Sequence, residues 1–137
     1  MPGTEAATLV RRYIEQVWNR GDLASVYELT TDGFEYFLGG QPGRDRAALG
    51  RFVTMTREAF PDWRVEIDQL IADPKAAAVR WHGRVTHLGT FRGIAPTGRT
   101  IDVSGINVYT VEQGRISAEW EQTDSLGMLQ QMGVLPS

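Results

Sequence analysis

Three carboxylates, Glu119, Glu121 and Asp124, stand close together beside Trp120 in the stretch RISAEWEQTDSLGMLQQMG, residues 115–133. The alternation from Arg115 to Thr123 reads as a strand. It puts Ser117, Glu119, Glu121 and Thr123 on one face and Ile116, Ala118, Trp120 and Gln122 on the other. Acidic groups along one strand face either solvate an outward edge or build an acid/base site. In the second case an apolar cavity would raise the pKa of Glu121 above the ~4.3 of a free glutamate. A base tuned that way suits removal of a C–H proton next to a carbonyl. Asp124 stands where strand gives way to helix, ahead of Ser125 and Leu126. It reads most simply as a helix N-cap, with a supporting catalytic role as the alternative.

Asn107 shares a strand face with Val103 and Tyr109 by parity. Its amide either donates to a developing oxyanion or is a buried amide satisfied by its neighbours. His87 lies in a glycine-rich bend, where a structural hydrogen bond competes with a place in the pocket. Trp18, Tyr36, Phe52, Phe60, Trp63, Trp81, Tyr109 and Trp120 read one by one as core. Taken together they suit a flat polycyclic ligand, since aromatic walls stack on rings.

Composition narrows the chemistry. The chain has 137 residues and no cysteine, which excludes disulfides and thiol nucleophiles. Two histidines, His82 and His87, make a histidine-based metal site unexpected, and no flavin or nicotinamide fingerprint is present. A net charge of -3 and a pI near 5.4 argue against nucleic acid as a partner. No apolar run approaches the ~18 residues of a membrane span, and MPGTEAAT lacks the basic and apolar regions of a signal peptide. No cofactor, no metal and a cytoplasmic location are the expectations.

Helical spacing of Leu9, Val10, Tyr13, Ile14, Val17 and Trp18 predicts a first helix over 5–20, stopped at Gly21. Asp22 would cap a short helix over 23–30, and 34–38 would be a strand. Asp45 would cap a third helix, whose apolar face holds Leu49, Phe52, Val53, Thr56 and Phe60. From Trp63 the period becomes two, with a bulge expected before Leu70. Strands over 76–86, 101–111 and 115–123 follow, the last two joined by a tight turn at Gln113-Gly114. Helices followed by a meander of long strands give an α+β domain spanning residues 1–137. Apolar residues on both strand faces need cover, which a curved antiparallel sheet would provide, wrapped round the helices on one side and paired with a second subunit on the other. The resulting shape is a cone with a pocket at its mouth.

This order of elements resembles the SnoaL-like polyketide cyclases, within the cone-shaped superfamily of nuclear transport factor 2 and ketosteroid isomerase. The resemblance rests on Trp18-Asn19-Arg20-Gly21-Asp22, Thr86-His87-Leu88-Gly89, Gly93 to Arg99, Gly114-Arg115-Ile116, Glu119-Trp120 and the closing DSLGMLQQMG. It implies an aromatic polyketide or other multi-carbonyl substrate, a homodimer and a catalytic acid on the last strand, supported by a histidine on the strand before. Those positions are Glu121 and Asn107 here, so the acid is kept and the histidine is not. The resemblance therefore implies a cyclase closing a ring by intramolecular aldol reaction. The alternatives are a cofactor-free hydroxylase of an anthracycline-like dihydroquinone, served by an external quinone reductase, and a binding module without catalysis.

Overall fold

A computed structural model of the chain describes residues 4–136. Of the domain expected over 1–137, residues 1–3 and 137 lie outside the described residues. Helix α1 (Thr4–Tyr13) passes directly into a π-helical stretch, Ile14–Asn19, and a short α2 (Ala24–Leu29) follows. Strand β1 (Thr30–Leu38) and helix α3 (Arg46–Ala59) come next, then β2 (Glu66–Ala72), β3 (Ala76–Thr86), β4 (Thr100–Glu112), β5 (Arg115–Thr123) and α4 (Ser125–Gln131). The strands form one curved, unclosed sheet in the order β1-β5-β4-β3-β2. Its pairs are antiparallel except β1 with β5, which is parallel because α3 and the rest of the sheet intervene between them.

The first helix differs from expectation in kind. Its α-helical part ends at Tyr13, and the wider π turn carries three buried side chains, Ile14, Val17 and Trp18. Such turns are rare in proteins and frequent at functional sites. Asn19 closes this end by pairing with a strand-like backbone: its Nδ2 donates to Val65 O (3.1 Å) and its Oδ1 accepts from Val65 N (2.7 Å). Asp22 does not cap the second helix through a backbone amide, since its carboxylate accepts from the Ser25 hydroxyl instead. Asp45 does cap α3, accepting from Ala48 N at 2.9 Å. On α3 the buried Leu49, Val53 and Ala59 face the sheet. Leu49 and Val53 each bring roughly 1.5–3 kcal/mol of burial.

Two irregularities set which side chains face inward. The bulge expected before Leu70 appears as a register shift between Ile67 and Gln69. A second, between Thr110 and Val111, pairs Val111 with Ile116 and Thr110 with Ala118, leaving Ser117 as the extra residue. Ile116 was expected on the face of Trp120. The bulge turns it inward, so Ile116 and Glu119 are both fully buried. The β4–β5 turn has positive φ at both Gln113 (51°) and Gly114 (77°), the geometry that matches strand twist in a two-residue hairpin.

Candidate active site

Register delivers the acidic groups. On β5, Glu119 pairs with Tyr36 of β1 and Tyr109 of β4, while Glu121 pairs with Leu38 and Asn107. Both carboxylates point into the concave side, against the solvated-edge alternative: Glu119 is fully buried and Glu121 is 9% exposed. The expected aromatic wall surrounds them. Trp18 packs edge-on to Phe52 (6.0 Å between ring centroids) and lies 6.3 Å from both Tyr36 and Trp63.

The two acids have different surroundings. Glu121 lines a narrow apolar slot, with Trp18, Leu38, Phe52, Thr56, Trp63 and Phe91 among its walls. Its Oε1 accepts from Tyr36 Oη (2.8 Å) and Asn107 Nδ2 (3.4 Å), and its Oε2 accepts from the Thr123 hydroxyl. Glu119 stands behind it, out of contact with the slot. Tyr13 Oη donates to its Oε1 (2.7 Å) and Asn107 Nδ2 to its Oε2 (2.8 Å). Burial, and then the charge of Glu121, raise the Glu119 pKa to about 7 against hydrogen bonds from Tyr13, Asn107 and Tyr109 that lower it. Tyr13, Tyr36 and Tyr109 are all pushed well above their usual value, first by burial and then by the neighbouring carboxylates. They therefore remain protonated donors.

Of the two readings open for Asn107, its contacts are those of a buried amide satisfied by its neighbours. The indole of Trp81 can only donate, and it does so to Asn107 Oδ1 at 2.9 Å. That contact fixes the amide with its Nδ2 toward the carboxylates and the Tyr109 hydroxyl. Asn107 thus bridges the two acids. The support for Trp81 is tight, since a Cβ on Gly105 would lie 2.7 Å from both the Trp81 ring and the Gln122 carbonyl oxygen. Gly105→Ala is expected to cost about 1–3 kcal/mol in urea denaturation by forcing Trp81 or the β5 backbone aside.

The residues of this constellation span Tyr13 to Thr123. A family model described as SnoaL-like polyketide cyclase matches residues 8–132. The chain belongs to the SnoaL-like polyketide cyclase family. Among solved structures it resembles a candidate SnoaL-like cyclase from Jannaschia sp. CCS1, with 20% identity over 98% of this chain and 95% of that one, TM-score 0.89. AclR, a candidate hydroxylase from Streptomyces galilaeus, is 22% identical over 97% of this chain and 83% of its own, TM-score 0.86. IdmH, a candidate polyketide cyclase from Streptomyces antibioticus, is 28% identical over 93% and 98%, TM-score 0.81. No curated protein sequence matches the chain.

Other residues of this SnoaL-like chain stand away from the slot or were not anticipated in it. His87 is fully buried one layer back, with Nδ1 accepting from Thr97 N (3.2 Å) and its ring against Phe60, which in turn packs on Phe91. Asp124 caps α4 by accepting from Gly127 N at 2.9 Å. Asp124→Asn keeps a cap and Asp124→Ala removes it. The cap account predicts a stability loss of about 1 kcal/mol in the alanine variant alone, read by thermal denaturation, with activity retained in the asparagine variant. Tyr13, Thr56 and Phe91 were missed as site residues. Tyr13 and Thr56 carried a signal, a hydroxyl on an otherwise apolar helix face that requires a partner once buried. Among the described residues no group of three or more His, Cys, Asp or Glu could hold a metal ion, and no helix is long and apolar enough to cross a membrane.

Proposed function

We propose that this chain is a polyketide cyclase that works by acid/base chemistry, with Glu121 as the base. The observation that carries this is a single hydrogen-bonded carboxylate in the wall of an aromatic slot, backed by a second acid the slot does not reach. Glu121 removes a C–H proton next to a substrate carbonyl, leaving an enolate. The enolate carbon attacks a second carbonyl carbon of the same molecule, forming one C–C bond, and the new alkoxide takes the proton back from Glu121. Substrate and product are isomers, so one carboxyl group completes the cycle. A histidine at position 107 is not needed for this balance. Asn107, Tyr36 and Thr123 keep the carboxylate in place, and positioning of the two carbonyls supplies much of the rate.

The likeness to AclR supports keeping a second reading, in which the substrate anion meets dioxygen after an external quinone reductase has prepared a dihydroquinone. Incubation of multi-carbonyl aromatic substrates with and without oxygen and a quinone reductase separates the two. The cyclase reading expects a product of unchanged mass that forms equally without oxygen. Oxygen-dependent gain of one oxygen atom would overturn it in favour of hydroxylation.

The homodimer belongs to the same proposal. The outer sheet face exposes Ile71, Ile106, Val108 and Trp120, with Trp120 stacked on Phe37 at 5.4 Å. Arg84 and Asp102 are exposed on neighbouring strands of the sheet, so both charge signs flank the apolar residues. Such a mixed face can complement its own copy across a two-fold axis. Sedimentation velocity is expected to give a dimer that Ile106→Lys converts to monomer, and a wild-type monomer at micromolar concentration would refute it.

A further inference from the structure

Four buried side-chain polar atoms among the described residues lack a hydrogen-bond partner: Trp18 Nε1, Thr56 Oγ1, Trp63 Nε1 and His87 Nε2. Three of the four belong to side chains that line the slot with Glu121. Buried donors without partners are rare in folded proteins and call for an explanation. These three come from separate parts of the chain, the π-helical stretch, α3 and the loop after α3, so no single local distortion accounts for them. Trp18, Thr56 and Trp63 are 5%, 3% and 8% exposed, which leaves solvent little access.

The backbone at both tryptophans is tied by the same guanidinium. Arg57 Nη1 donates to the backbone oxygens of Trp18 (2.9 Å), Asn19 (2.9 Å) and Trp63 (3.3 Å). Gly21, at φ 67°, makes room for that side chain, since a Cβ there would lie 2.8 Å from Arg57 Nε. The Asn19–Val65 pair ties the same two segments together a second time. The Trp18-Asn19-Arg20-Gly21 stretch and Arg57 therefore set the relation between the two backbone segments that carry these indoles.

An indole N–H can only donate, and a threonine hydroxyl can donate as well as accept. Glu121 does not satisfy them, because its bonds go to Tyr36, Asn107 and Thr123. We propose that Trp18, Thr56 and Trp63 form a neutral donor set that binds a carbonyl oxygen of a flat cyclic ketone or quinone, and holds that oxygen as it gains charge when Glu121 takes the neighbouring proton. The binding half of this inference stands on the slot alone; the enolate half rests on the cyclase reading. Asn107, engaged with both acids, leaves this role to the opposite wall. Donors fixed before the reaction need no reorganisation as charge develops.

The test uses α-tetralone, a flat bicyclic ketone, and tetralin, the same skeleton without the oxygen. Each is titrated into protein carrying ¹⁵N in its indoles, with the Trp18 and Trp63 signals identified from Trp18→Phe and Trp63→Phe. The ketone is expected to move both indole N–H signals downfield and the hydrocarbon to leave them near their free positions. Affinity for the ketone is expected to exceed that for the hydrocarbon by about tenfold, and Trp63→Phe or Thr56→Val to cut that preference to about threefold or less. Equal shifts with both ligands, no preference in the wild type, or a preference untouched in the variants would overturn the donor set. Should Trp63→Phe fail to fold, the wild-type shifts and Thr56→Val decide. Proton exchange into the ketone separates the two claims. Glu121-dependent exchange without donor-dependent preference leaves the cyclase reading standing and removes the donor set. Donor-dependent preference without any exchange does the reverse.

Discussion

Glu121→Gln is expected to lower turnover about a thousandfold while ligand affinity stays within about a factor of ten, the range a general base contributes. Glutamine keeps the length and planarity of the side chain and can still accept from Tyr36 Oη, so the slot keeps its shape. What it lacks is basicity. Its amide nitrogen also faces the Thr123 hydroxyl, which can turn from donor to acceptor without moving. The expected signature is therefore a fall in kcat with little change in binding. A binding module would show affinity and biological activity both unchanged in this variant, and that outcome would remove the catalytic account.

The second large effect concerns Glu119 and stability. Its carboxyl is fully buried, and burial followed by the charge of Glu121 raises its pKa from 4.5 to about 7. Between those values the folded protein holds a proton that the unfolded chain has released. Stability is thus fully present below about pH 4.5, falls as pH rises, and levels off above about pH 7. The loss is on the order of 3 kcal/mol for a shift of this size. Glu119→Gln removes the titrating group, so its stability curve is expected to lack this decline between pH 4.5 and about pH 8. Urea denaturation of both proteins across that range measures the difference. Parallel curves would mean that Glu119 carries no such proton.

Strand period made β3 and β5 legible to the residue, and the parity of β4 correctly put Val103, Asn107 and Tyr109 inside. The resemblance supplied the cone and singled out Glu121. What escaped the sequence is mostly relational. Tyr13 and Glu119 are separated by 106 positions, and nothing local to either shows the bond between them. The bulge at Ser117 has no glycine or proline to announce it, so Ile116 was expected on the wrong face. Arg57 looks like an ordinary polar residue near the end of α3, yet it joins the backbones of Trp18 and Trp63. Parity placed Glu119 and Glu121 together and could not separate them. Their difference lies in depth, because one meets the slot and the other lies behind it among Tyr13, Tyr109 and Asn107.

Glu121, as the proposed base, takes a proton from carbon next to a carbonyl held in this slot. Incubating α-tetralone in deuterium oxide with the protein, and following the α-C–H signal by NMR, reads that step alone. Exchange is expected to be faster than in buffer with the wild-type protein and to fall to the buffer rate with Glu121→Gln. Equal exchange with the wild type and the variant would rule out Glu121 as the base.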